Sequence, residues 1–195
     1  MKLDALELAT DFNCPVPTIL HRVQRRRSLT GAVAIGPLRL PTAGLLLNRF
    51  DLPATDVGYL ADSAEAAIYE TLARREVTVL SISGSVALRQ LLTLQTTVPL
   101  LLLDLRPHAS RWPVLQSLRY ASNQALAASA QTAGYQGIVY RSAQQNGADC
   151  FAIFGVQALQ SLRLVRRTPL VQPATGALHR AVADAVRGGQ VPLAP

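Results

Sequence analysis

Residues Tyr120–Gly155 read YASNQALAASAQTAGYQGIVYRSAQQNGADCFAIFG, and this stretch decides the fold class. Tyr120 to Ala133 is rich in alanine, the residue that loses least on entering a helix, and Gly134 supplies the C-terminal stop. Gly137–Tyr140 and Cys150–Phe154 are apolar runs of strand length separated by polar turn residues. Helix, strand and strand in one short unit predict an α+β domain: a mixed central sheet with flanking helices.

Working outward, Leu162–Val165 reads as a further short strand. Leu100–Leu105 is an apolar run broken only by Asp104, as in a strand buried on both faces; Pro99 is tolerable at its start. Val77–Val86 alternates well enough for a strand. Before it, Ser63 is an N-cap with Glu65 in the first turn of a helix that runs to Arg75. Leu45–Phe50 and Val57–Ala61 read as strands divided by a turn at Leu52-Pro53-Ala54. Met1 to Leu20 reads as an N-terminal helix halted by Pro15 and Pro17. Gly176–Arg187 is a weaker last helix, and Gly188-Gly189 begins a tail. No Gly-rich strand-to-helix turn of the Rossmann or P-loop kind occurs, which argues against a doubly wound nucleotide fold.

Composition narrows the function. The chain has 195 residues, 49% of them hydrophobic, enough for one well-filled core. No basic start followed by an apolar run opens it, and no stretch approaches the roughly 20 apolar residues of a membrane span, so a cytoplasmic protein without a membrane partner is expected. Cys14 and Cys150 lack ligand-spaced neighbours and are expected to be reduced structural thiols. His21, His108 and His179 are isolated in expected loops or helix edges, so no metal is expected. The net charge of +7, nearly all of it arginine, points to anionic partners. Arg25-Arg26-Arg27 is the one basic run. It suits a solvated loop as well as a nucleic-acid contact, and no helix-turn-helix or stacking platform accompanies it.

Only four glutamates occur, and Glu70 stands out among them. At helical spacing its neighbours are Ala66, Ala67 and Ala73, small residues that leave a groove for something else to fill. Arg74 at i+4 offers it an ion pair. An exposed helical ion pair is the plainer reading of the same residues.

Two segments then resemble the RES family. In NRFDLPATDVGYLADSAEAAIYETLARREV, Asn48 to Val77, Arg49-Phe50, Tyr59-Leu60 and Glu70 occupy the places of the family's Arg-aromatic pair, Tyr-Leu strand end and helical Glu. In Tyr120–Gly155, Gly137–Tyr140, Ser142 and Cys150–Phe154 match its second half. Leu20–Val23 is similar to the opening strand, which makes Arg22 the family's arginine there. The likeness spans roughly Leu20 to Gly155. Leu47-Asn48 precede Arg49 where the family usually has a Gly pair, and Asp51-Leu52 follow Phe50 where it has an Asn.

The resemblance implies an ADP-ribosyltransferase-like fold acting on NAD as a substrate, in a toxin held inactive by a helix-turn-helix (Xre-type) antitoxin. It further implies three parts: an N-terminal helical extension over 1–19, the RES domain over 20–170, and a C-terminal helix and tail over 171–195. Hydrolysis or phosphorolysis of NAD and transfer of ADP-ribose to a metabolic protein acceptor are both open, as is a basic binding module without catalysis. Cleaving the nicotinamide–ribose bond needs a fixed carboxylate beside a cation-like transition state and charge neutralisation for two phosphates. Glu70 is the natural carboxylate. Arg49, helped by Arg22, offers guanidinium forks for phosphate oxygens. Tyr59 can pack on the nicotinamide ring, Ser142 can hold the ribose or a neighbouring turn, and Tyr120 can add a wall. Each has a plainer alternative: Arg22 and Arg49 as surface cations, Tyr59 as a strand aromatic, Ser142 as a turn residue, Tyr120 as core.

Overall fold

Apolar residues that alternate between two faces organise the molecule into a sheet with a separate core on each side. The structure is a computed structural model that describes residues 10–117 and 120–195. Its elements are β1 (Thr10–Cys14), β2 (Ile19–Arg25), β3 (Val33–Ile35), β4 (Leu38–Leu40), β5 (Val57–Ala61), α1 (Ala64–Thr71), β6 (Leu80–Ser81), β7 (Arg89–Thr96), β8 (Leu100–Asp104), α2 (Tyr120–Thr132), β9 (Gly137–Arg141), β10 (Asp149–Phe154), α3 (Gly155–Gln160), β11 (Leu162–Pro169), α4 (Arg180–Gly189) and β12 (Leu193–Ala194).

Eight strands form the main sheet in the order β1-β8-β9-β10-β5-β2-β7-β11. Within this sheet only β8 and β9 pair in parallel among the described residues, and the long connection between them carries α2, as a parallel crossover requires. The remaining neighbours are antiparallel, so the sheet is mixed and the fold is α+β, as the Tyr120–Gly155 stretch predicts. On one face Leu103, Ile138, Ala152 and Val23 meet Ala66, Ile68, Leu126, Ala127 and Val182 from α1, α2 and α4. On the other, Leu102, Val139, Ile153 and Leu92 meet Ile35, Leu38 and Leu159 from the β3–β4 hairpin and α3. Close strand packing demands Gly137: a Cβ there would stand 2.4 Å from the Ala152 carbonyl oxygen.

The sheet is nearly divided in two. Across β5 and β2 the ladder has a single register pair, His21 with Ala61, whereas β2 and β7 pair over seven residues. A cleft opens at this seam.

Several expectations are corrected. The helix over Met1–Leu20 lies partly outside the described residues, and its remainder holds β1, a turn over 15–18 and the start of β2: Thr10, Asp11, Asn13 and Cys14 are poor helix formers, and they satisfy their backbone on the free edge of β8. Leu45–Phe50 is a loop. Gly44 and Leu46 have φ of +87° and +50°, and Gln124 Nε2 binds the Leu46 and Asn48 carbonyls that a strand would use for pairing. In Val77–Val86 only Leu80–Ser81 is strand, because Ser81 Oγ accepts from the Gly84 N–H and caps a π-helical turn over Ile82–Val86. α1 stops at Thr71, short of Arg75. α4 begins at Arg180, after His179 caps it, because Gly176 has a φ of +71° that a right-handed helix cannot use. The strand β7 has no counterpart in the sequence reading.

Candidate functional site

α1 presents Glu70 to the seam. Ser63 caps that helix by accepting from the Ala66 N–H at 3.1 Å, and Ala66, Ala67 and Ile68 are buried against the sheet. The packing fixes the helix rotation and leaves Glu70 half-buried at the lip of a cleft of about 280 Å³. Arg22 from β2, Arg49 from the loop before β5, Tyr59 from β5 and Tyr120 at the start of α2 line the same cleft. Ser142 stands behind it and donates from Oγ to Glu70 Oε1 at 2.5 Å. The six residues singled out in the sequence are therefore brought together from six separate segments.

Their contacts refine the individual expectations. Ser142 Oγ also accepts from the Gln144 and Gln145 N–H groups at 3.0 and 2.9 Å, so the hydroxyl orients Glu70 and closes a turn. Arg74 does not pair with Glu70. It lies beyond the end of α1 and binds Glu76 at 2.6 Å. The Tyr59 hydroxyl is fully engaged, donating to Asp51 Oδ1 and accepting from the Phe50 N–H, both at 2.9 Å. Burial, then the Asp51 charge, pushes that phenol well above its ordinary range. Asp51 Oδ2 in turn accepts from the Asn48 N–H at 2.8 Å. Asn48 and Asp51, where the chain departs from the family pattern, thus clip the loop that carries Arg49.

Arg49 is only 8% exposed, with its guanidinium carbon 5.7 Å from the centroid of the Tyr140 ring, within cation–π reach. Arg22 donates from Nη1 to the Tyr59 carbonyl at 2.7 Å, and burial pushes its pKa down to about 10. Neither arginine has an acidic partner among the described residues. Seven buried side-chain polar atoms there lack a hydrogen-bond partner, and four belong to residues of this cleft: His21 Nδ1, Arg22 Nε, Arg49 Nε and Arg74 Nε. Buried polar groups are nearly always satisfied, so such a concentration marks a place for a ligand or ordered water.

Sequence reasoning missed other members of the site. His21 lies on β2 and lines the cleft, not on a loop, and burial lowers its pKa. Tyr140 and Cys150 lie on paired strands and also line it. Burial first, and Glu70 second, raise the Cys150 thiol, which stays protonated and un-nucleophilic. An alternating strand would have revealed these residues only once the cleft-facing side was known. No group of three His, Cys, Asp or Glu side chains suited to a metal occurs among the described residues, and no described helix is long and apolar enough to cross a membrane.

Comparison with known proteins shows the fold and the family. A chain from the crystal structure of the M. tuberculosis MbcT–MbcA toxin–antitoxin complex superposes with a TM-score of 0.62 at 18% identity, covering 81% of this chain and 86% of that one. No curated protein sequence matches. The model of the RES domain matches residues 19–173, a span that takes in Arg22, Arg49, Tyr59, Glu70 and Ser142. The chain belongs to the RES-domain family.

Proposed function

We propose that the protein is a cytoplasmic toxin that cleaves NAD at the nicotinamide–ribose bond. The observation that carries this reading is the meeting of one oriented carboxylate, Glu70, with two acid-free guanidinium groups, Arg22 and Arg49, in a single cleft. Two guanidiniums suit the two phosphates of a dinucleotide. The cleft is at the small end of ligand-site sizes, suited to nicotinamide and its ribose with the rest of the molecule lying across the rim.

In the reaction the glycosidic C1′–N1 bond breaks and its electron pair leaves with nicotinamide, which becomes neutral. Positive charge develops on the ribose, where Glu70, held by Ser142, stabilises it and accepts a ribose hydroxyl. Water then bonds to C1′ through its oxygen and loses a proton to solvent, or an anionic phosphate oxygen bonds to C1′ with no proton to lose. The Tyr59 and Tyr140 rings supply walls, and the engaged Tyr59 hydroxyl stiffens the loop that presents Arg49. Membership of the RES family and the likeness to a chain of a toxin–antitoxin complex support a helix-turn-helix (Xre-type) antitoxin as partner.

The test is nicotinamide release by the pure protein from NAD, with and without phosphate, for the wild type and Glu70→Gln. Release by the wild type and a fall of about 100-fold or more in the variant are expected. Equal release by both proteins would overturn the assignment. Release only after a protein acceptor is added would replace it with ADP-ribose transfer to that protein.

A further inference from the structure

Five arginines gather at the end of β2, away from the cleft, and no carboxylate among the described residues pairs with them. Arg25, Arg26 and Arg27 are exposed and line a surface concavity of about 520 Å³ that shares no residue with the cleft. Arg39 is drawn in by its own side chain, whose Nη1 donates to the Arg25 and Arg26 carbonyls at 3.0 and 2.6 Å. Arg89 stands opposite Arg25 in the β2–β7 register, a like-charge cross-strand pair that disfavours the fold. Burial, and then the Arg25 charge, lower the Arg89 pKa.

Among the described residues every ion pair uses Arg74, Arg106, Arg141, Arg180 or Arg187, so none of these five is neutralised. Among the described residues no acidic side chain lines the concavity. We infer that this patch, whose concavity Arg25, Arg26 and Arg27 line while Arg39 and Arg89 add their charge beside it, docks the phosphodiester backbone of duplex nucleic acid without reading its sequence. A duplex carries one charge per ~1.7 Å of axis, whereas an extended peptide presents a residue only every ~3.3 Å. Guanidinium forks match phosphate oxygens. No aromatic side chain lines the patch, which disfavours single strands held by base stacking.

The experiment measures binding of the whole chain to a short DNA duplex of arbitrary sequence over a range of salt concentrations, independently of any NAD activity. Arg25→Glu, Arg26→Glu and Arg27→Glu are combined in one variant. A second variant combines Arg163→Glu, Arg166→Glu and Arg167→Glu on β11, which makes the same change in net charge. Thermal melting checks that both are folded, and glutamine replaces glutamate where the first is not. The expected result is a loss of about tenfold or more, with the salt slope reduced by about three, in the first variant only. Equal losses in both variants would assign the binding to net charge and overturn the inference. Unchanged affinity in the first variant, or preferential binding of a polyglutamate peptide, would overturn it as well.

Discussion

Ser142 and Glu70 are joined across 72 residues of sequence by the hydrogen bond from Oγ to Oε1, which ties the turn after β9 to α1. With two backbone N–H groups also bound to it, the hydroxyl has one hydrogen left to give, and it gives it to the carboxylate. Ser142→Ala removes that restraint and leaves Glu70 in place to bind. The expected outcome is a fall in kcat for nicotinamide release of about ten- to 100-fold, with little change in KM and recovery in Ser142→Thr. Steady-state kinetics of the three proteins check it; a rise in KM alone would show that Ser142 binds and does not position.

Arg49→Lys keeps the charge and loses the planar fork that lies within cation–π reach of the Tyr140 ring. One charge-assisted hydrogen bond lost corresponds to a rise of about tenfold or more in KM for NAD. The melting temperature should stay near that of the wild type, because the Arg49 Nε has no protein partner to lose.

Tyr59→Phe strips one hydroxyl from two partners, the Asp51 carboxylate and the Phe50 N–H. Leaving them unsatisfied costs about 1–3 kcal/mol. Each kcal/mol lowers the melting temperature of a chain this size by about 2–4 °C. Thermal unfolding should show that drop, and KM should rise as the loop carrying Arg49 loosens.

His179 caps α4 by accepting from the Ala181 N–H through Nδ1 at 3.2 Å, which only the neutral ring can do. Burial, and then the nearby Arg166, hold its pKa below the ordinary 6.5. The folded state therefore prefers the neutral form. Its stability is complete above pH 6.5 and is lost as pH falls from there through the lower folded value. His179→Asn retains a capping side chain that does not titrate. Its melting temperature should match the wild type at pH 8 and exceed it by about 2–4 °C at pH 5, the worth of one cap. Parallel melting curves at both pH values would remove the role assigned to the ring.

The parts of the fold that were legible in the sequence are those whose signals are local. Alanine content and Gly134 give α2, Ser63 gives the start of α1, and apolar runs of strand length give β8, β9 and β10. β7 was not legible because Leu91, Leu92 and Leu94, interrupted by threonine and glutamine, fit a helical face as well as a strand. β1 takes its conformation from the edge of β8, more than 80 residues away, which no window on Thr10–Cys14 contains. The meeting of Arg22, Arg49, Tyr59, Glu70 and Ser142 was foreseen from a family likeness and not from composition. The clip formed by Asn48, Asp51 and Tyr59 was not foreseen, since a carboxylate's choice of donor depends on the folded loop.

The near-gap between β5 and β2 gives Arg22 a second office. Where the ladder supplies one rung, its guanidinium reaches across from β2 to the Tyr59 carbonyl of β5 and stands in for the missing backbone bonds. The same group faces the hollow where a dinucleotide's charge would rest. Under the proposed function, masonry and grip are thus vested in one side chain, and any replacement at this position would unsettle both together.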